Sequence, residues 1–268
     1  GLGDVYKRQK YIYLKANKLN PIDFDFPKVS VTGTENLMMA ATLIEGTTTL
    51  RNCAKEPEVL ELANYLNNCG AKISGAGESE IIVQGVKKLE ASRWNVLFDR
   101  IEAGTYLVAG AITNGHVKVN KIDPETINII SEKLMDMGVE VYIGSDFVEV
   151  DATSSDLKAQ DIFTEPFPGF PTDMQAQFMT LNTIASGKCI IEETVFENRF
   201  QHVSQLRKMG ADITLNKNKA SVSGVSNLVG ANVRASDLRA SASLVLAGLV
   251  GKNKTEINDI YHIDRGYE

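Results

Sequence analysis

One design recurs along this chain at intervals of about 70 residues, and that repetition restricts the fold more than any single motif does. Four segments each read as an apolar helix rich in small residues, a glycine turn and a β-forming run. They are GTENLMMAATLIEGTTTL (33–50), IEAGTYLVAGAITNGHVKV (101–119), DMQAQFMTLNTIASGKCII (173–191) and LRASASLVLAGLVGKNKTEI (238–257). Their glycines, Gly46, Gly115, Gly187 and Gly251, lie 69, 72 and 64 residues apart. A helix stopped by glycine and followed by alternating β-formers is a strong local signal. A second series is interleaved: EVLELANYLNNCGAKISG (58–75), TINIISEKLMDMGVEVYIG (126–144) and QHVSQLRKMGADITLN (201–216). Each is an amphipathic helix, a C-cap glycine (Gly70, Gly138, Gly210) and a strand, and a further strand follows: EIIVQGV, FVEVDA or KASVSGV.

The unit is therefore β-α-β-α-β-β. Helices of the first series are apolar nearly all round and are predicted to be buried against one another; those of the second carry a polar face and belong outside. The result is a layered α/β architecture in which helices cover sheets. The fourth copy reaches Glu268 without an amphipathic helix or its last two strands, and residues 1–9 (GLGDVYKRQ) fit no copy. These ends suggest a non-native or disordered leader over 1–9 and a piece of a longer protein.

Composition excludes several classes. With a net charge of -6 the chain lacks the basic face of a sequence-independent nucleic-acid binder. Its apolar runs fall short of the ~20 residues of a membrane span. Cys53, Cys69 and Cys189 are widely spaced, with no CxxC, and read as small buried hydrophobes in a reducing cytoplasm rather than as disulfides or metal ligands. His116, His202 and His262 show no metal spacing.

The chemistry-bearing residues cluster at element ends. Acids open three of the first-series helices: Asp99 in DRIE, Asp173 in TDMQ and Asp237 in SDLR. Asp99 with Glu102, and Thr172 with Gln175, have capping-box spacing. An acid in such a place serves the helix end by default. Arginines change the balance: Arg199 and Arg265 occupy matching places after the strand that follows a first-series helix, and Arg239 starts such a helix. Guanidinium forks beside helix N-termini make an anion site for phosphate or carboxylate. The stretch KVSVTGT (28–34) offers hydroxyls and backbone N–H groups before another helix, without being a P-loop.

Seven stretches together carry a resemblance: KVSVTGTENLMMAATL, AKEPEVLELANYL, DRIEAGTYLVAGAI, FPTDMQAQF, ETVFENRFQHV, RASDLRASASLVLAGL and IYHIDRGYE. From about Lys10 to Glu268 the chain resembles the UDP-N-acetylglucosamine 1-carboxyvinyltransferase family of enolpyruvyl transferases. The resemblance implies an α/β (α+β in some schemes) fold of repeated units forming an α/β prism, in two similar domains with the active site in the cleft between them. Residues 10–97 correspond to the last unit of the first domain and residues 98–268 to the second, C-terminally truncated. It implies transfer of the enolpyruvyl group of phosphoenolpyruvate to the 3-hydroxyl of UDP-N-acetylglucosamine with release of phosphate, the first committed step of peptidoglycan synthesis. No metal or organic cofactor, nucleic acid or membrane is implied, and the protein is expected to be a monomer.

By the same resemblance Asp173 is the base facing the sugar hydroxyl, its carboxylate left free because Thr172 and Gln175 cap the helix. Arg199 and Arg239 hold the phosphoenolpyruvate carboxylate, Arg265 contacts its phosphate and Asp237 supports the cluster. Lys28, Ser30, Val31 and Thr32 form the diphosphate- and uridine-binding loop, with Thr32 standing where the family commonly has glycine, and the backbone of Val195 meets the N-acetyl group. The family's reactive loop cysteine, its N-terminal lysine-asparagine pair and two further arginines have no counterpart here, so this chain alone is expected to be inactive.

Overall fold

The computed structural model describes residues 4–8 and 11–267; the side chains of residues 4–8, of 11–14 and of Arg265 lie outside that description. The leader expected over residues 1–9 falls partly outside it too; Asp4–Arg8 form β1, which pairs antiparallel with β2 (Tyr11–Lys15). The chain divides into two units, Gly1–Leu97 and Phe98–Glu268, each with its own apolar core.

Unit 1 holds one full repeat: β3 (Asp23–Asp25), α1 (Val31–Ala41), β4 (Thr47–Arg51), α2 (Pro57–Asn68), β5 (Lys72–Ser74) and β6 (Glu80–Gln84). The sheet order is β3-β4-β6-β5, with β3 parallel to β4 and the other pairs antiparallel.

Unit 2 repeats the plan. Its first copy is α3 (Arg100–Ile112), β7 (His116–Asn120), α4 (Asn128–Asp136), β8 (Glu140–Ile143) and β9 (Phe147–Asp151). The second is β10 (Ile162–Phe163), a 3-10 turn (Thr172–Met174), α5 (Gln175–Asn182), β11 (Lys188–Glu192), α6 (Val203–Lys208), β12 (Asp212–Asn216) and β13 (Lys219–Ser223). The third is β14 (Asn232–Arg234), α7 (Leu238–Val250), β15 (Glu256–Asn258) and a 3-10 turn (Ile260–Arg265). Sheet β10-β11-β13-β12 repeats the unit 1 order, β7-β9-β8 repeats its last three strands, and β14 pairs parallel with β15. Register is preserved as well: Thr47, His116 and Lys188, each following a repeat glycine, face Gln84, Asp151 and Ser223 at the ends of the partner strands.

The second-series glycines behave as predicted. Gly70, Gly138 and Gly210 all have φ near +90°. After each, the next residue donates to the carbonyl four residues before the glycine, as in Ala71 to Leu66, Val139 to Leu134 and Ala211 to Leu206. That is one Schellman cap used three times, and a side chain at the glycine would strain it. The first series is less uniform. Gly46 and Gly187 have positive φ, but Asn114 and Asn253 take the left-handed conformation near Gly115 and Gly251. Asparagine tolerates that region, so the turn survives without a left-handed glycine.

Burial of the first-series helices is split between the units. In unit 2, α3, α5 and α7 touch one another in pairs, and every residue of α5 is buried. In unit 1, α1 buries only Thr34, Met38 and Ala41, which corrects the expectation that all first-series helices are enclosed. Its neighbours are α2 and the sheet, with no sister helix among the described residues of that unit. The three cysteines are buried and unpaired. No described helix is long and apolar enough to cross a membrane.

Candidate active site

The N-termini of the three buried helices of unit 2 differ in how they use their acids. Asp99 caps α3 by accepting from the N–H groups of Ile101 (2.7 Å) and Glu102 (3.1 Å). Asp237 caps α7, accepting from the N–H groups of Arg239 (3.0 Å) and Ala240 (2.9 Å), while the Ser236 hydroxyl donates to its other oxygen (3.1 Å). Both are helix punctuation.

Asp173 is different. Its helix is entered through a 3-10 turn after Pro171, and α5 has no side-chain cap. The capping box expected from Thr172 and Gln175 does not form. The Thr172 hydroxyl donates instead to Glu193 (2.8 Å), and Gln175 is wholly buried with both amide atoms lacking a hydrogen-bond partner among the described residues. The tighter 3-10 winding changes the geometry that a box needs, and the buried Glu193 competes for the hydroxyl.

The Asp173 carboxylate caps no helix end, as expected, and it is paired instead with two arginines. Its Oδ1 accepts from Arg199 Nη2, and its Oδ2 lies 3.4 Å from Arg239 Nη2. The arginine side chains are 15% exposed and that of Asp173 40%, so the cluster is sunk yet open on the acid's side. Burial pushes the Asp173 carboxyl up, but Arg239 and then Arg199 outweigh it and hold its pKa below the usual carboxylate range. Burial pulls Arg239 down, and the charge of Asp173, then the nearby Tyr267, more than restores it, leaving the pKa raised. The second amino group of Arg239, Nη1, is buried without a hydrogen-bond partner among the described residues. Two guanidinium groups on one carboxylate leave a local excess of positive charge, and a buried unmatched donor is costly until an acceptor arrives.

Neighbouring groups hold the arginines. The Arg199 guanidinium stacks 4.7 Å from the Phe196 ring. His202 is 2% exposed and hydrogen-bonds to the Arg199 backbone. Burial pulls the His202 pKa down to about 4, with Asp237 opposing and the Arg199 charge reinforcing the shift, so the ring is neutral at neutral pH. Tyr267, near Arg239, has its hydroxyl 3.0 Å from that of Thr105 on α3, and Thr105 also accepts from the Gln177 amide (3.0 Å) on α5.

Asp173, Arg199 and Arg239 thus meet in one place, with the Asp237 cap at the first turn of the helix bearing Arg239. Arg265 ends the 3-10 turn after β15, and its side chain lies outside the described residues. Val195, whose backbone was expected to meet a substrate, donates its N–H to Glu193 at 2.9 Å. In unit 1, Ser30 caps α1 by accepting from Gly33 N–H (3.1 Å), and Val31 and Thr32 form its first turn, with Lys28 in the preceding loop. A Cβ at Gly33 would come within 2.8 Å of the Ser30 hydroxyl, so glycine there keeps the cap intact. Sequence reasoning missed Glu193, His202, Thr105, Gln177 and Tyr267. No spacing rule marks them, because their partners lie on other elements.

A family model described as EPSP synthase (3-phosphoshikimate 1-carboxyvinyltransferase) matches residues 4–268. The chain belongs to that family. Among similar curated proteins, the UDP-N-acetylglucosamine 1-carboxyvinyltransferase of Coxiella burnetii is 54% identical over 251 residues, covering 94% of this chain and 58% of its own length. The protein of the same name from Hydrogenovibrio crunogenus is 50% identical over 265 residues, covering 99% and 63%. The chain therefore spans about three-fifths of the length of these relatives. The crystal structure of the enolpyruvyl transferase NikO from Streptomyces tendae superimposes with a TM-score of 0.87 at 25% identity, over 98% of this chain and 66% of that one. The fold is that of the enolpyruvyl transferases.

Proposed function

We propose that the protein carrying this chain transfers the enolpyruvyl group of phosphoenolpyruvate to the 3-hydroxyl of UDP-N-acetylglucosamine, feeding peptidoglycan synthesis in a bacterial cytoplasm, as a monomer. The names of the relatives at 54% and 50% identity support the substrates. One observation in the structure carries the reading: among the three helix-opening acids of unit 2, Asp173 alone caps nothing and faces two arginines, one with an unmatched buried donor.

In this reading Arg199 and Arg239 receive the phosphoenolpyruvate carboxylate, to which planar forks give orientation as well as charge. Arg265 takes its phosphate. The methylene carbon of phosphoenolpyruvate gains a proton, and the sugar 3-hydroxyl oxygen bonds to the adjacent carbon while its own proton passes to Asp173. Loss of phosphate and of one methyl proton then restores the double bond. A carboxylate held below its usual range by arginines accepts a proton poorly, so Asp173 serves as base once the substrate carboxylate has drawn Arg199 and Arg239 away from it. Lys28, Ser30, Val31 and Thr32 hold the uridine diphosphate, and the backbone of Val195 meets the N-acetyl group.

The test is phosphate release by the full-length protein from phosphoenolpyruvate with either UDP-N-acetylglucosamine or shikimate 3-phosphate. Release with the nucleotide sugar alone is expected. Release only with shikimate 3-phosphate assigns the other acceptor, and release with neither sinks the transferase reading.

A further inference from the structure

We propose that Glu193 is a positioning residue that couples the loop bearing Arg199 to the turn bearing Asp173, with Thr172 as the link; the proposal rests on the transferase reading for its kinetic consequence, not for its structural one. Glu193 directly follows β11, is 4% exposed, and has hydroxyls and backbone amides as partners. Its Oε1 accepts from the Thr164 hydroxyl (2.8 Å) and from the N–H groups of Val195 and Phe196 (2.9 Å each). Its Oε2 accepts from the Thr172 hydroxyl (2.8 Å).

The two oxygens do separate jobs. Oε1 gathers the N–H groups of Val195 and Phe196 as a small nest, while the Thr194 N–H donates to the Thr164 hydroxyl (2.9 Å) that itself donates to Oε1. That fixes Phe196, whose ring stacks on the Arg199 guanidinium, and Arg199 in turn donates to Asp173. Oε2 reaches the residue beside Asp173. The contacts close a ring: Glu193, Phe196, Arg199, Asp173, Thr172 and back to Glu193. The backbone of Glu193 is itself anchored, its N–H donating to the Asn218 carbonyl (2.8 Å) and its carbonyl accepting from the Asn218 amide (3.1 Å). A buried carboxylate is tolerated only where its lone pairs are met, so this acid specifies one arrangement of loop and turn. Displacing either half by about 1 Å would misalign the acid against the arginines.

Thr172→Val in the full-length protein removes the Oε2 link and leaves the nest. Thr172→Ser keeps the hydroxyl. Glu193→Gln keeps an acceptor for the nest and turns its amide toward Thr172. Two readouts are made on each: steady-state kinetics for phosphoenolpyruvate and hydrogen exchange of residues 194–199. Thr172→Val is expected to lower kcat/KM about tenfold and to speed exchange in 194–199, more than 20 positions away in sequence; Thr172→Ser is expected to restore both. Unchanged exchange in 194–199 for both Thr172→Val and Glu193→Gln overturns the coupling, whatever the activity. Equal kinetics for Thr172→Val and Thr172→Ser overturn its catalytic consequence. A parent protein without transferase activity refutes the functional reading instead, and the exchange comparison still decides the coupling.

Discussion

Helices α1 and α5 come from the same repeat and end in different surroundings. All eight residues of α5 are buried, but only three of the eleven in α1. Their sequences share the small, apolar character that marks the first series. The difference lies in company: α5 is flanked by α3 and α7, whereas α1 has α2 and one sheet. An all-round apolar helix is an instruction to be enclosed, and the enclosing surface comes from other copies of the repeat. The N-termini differ as well. At α1 the polar opener, Ser30, is consumed as a cap; at α5 the acid is turned outward to two cations.

The sharpest test of this contrast uses one residue type in both helices. Met179 in α5 is wholly buried and Met39 in α1 is 42% exposed. Met179→Ala is expected to cost about 2–5 kcal/mol and Met39→Ala under about 0.5 kcal/mol in urea unfolding. Equal losses would show that α1 is as enclosed in solution as α5.

Next comes the cation pair at α5. Arg239→Ala in the full-length protein is expected to lower kcat/KM by the equivalent of about 2–4 kcal/mol, with the larger share in the phosphoenolpyruvate term. A loss below about tenfold would assign Arg239 to holding Asp173 alone.

One titratable group in each unit responds to acid with opposite sign. In unit 2, His202 titrates at about 4 when folded, against about 6.5 when unfolded. Between those values the unfolded chain binds more protons, so the contribution is complete above pH ~6.5 and lost as the pH falls toward ~4, about 3 kcal/mol in all. In unit 1, burial and then the charges of Glu58 and Glu56 raise the pKa of Glu35. Its contribution is therefore present below its unfolded value and lost as the pH rises through the folded one. His202→Gln is expected to flatten the acid loss measured by urea midpoints between pH 6.5 and 4.5; an unaltered slope contradicts the assignment. Asp173, with its depressed pKa, weakens the fold only below its unfolded value near ~3.9.

The smallest effect concerns the caps. Ser30→Ala and Asp237→Ala each remove one side-chain cap and are expected to cost about 1 kcal/mol in thermal unfolding. Asp173→Asn removes no cap, so any stability it loses reports on the arginine pair instead.

The repeat, its order of helices and strands along the chain and the second-series caps were legible because they depend on local chemistry: glycine where φ is positive, alternation where one face is covered. The Asp173 neighbourhood was only half legible. Residue types and spacing nominated the acids and arginines, yet Asp99, Asp173 and Asp237 look alike in one dimension, and two are caps. The capping box at Thr172 was misread because the buried Glu193, 21 positions on, takes the hydroxyl.

What the amino-acid order settled alone was the period, the α/β class, the glycine caps of the second-series helices and the residues able to meet an anion. Tertiary packing decided which apolar helix is enclosed, which acid is spared from capping and which buried groups steady the arginines. Propensities and caps act within a few residues along the chain. The electrostatics of Asp173 depend on groups 26 and 66 positions away, which only folding brings to it.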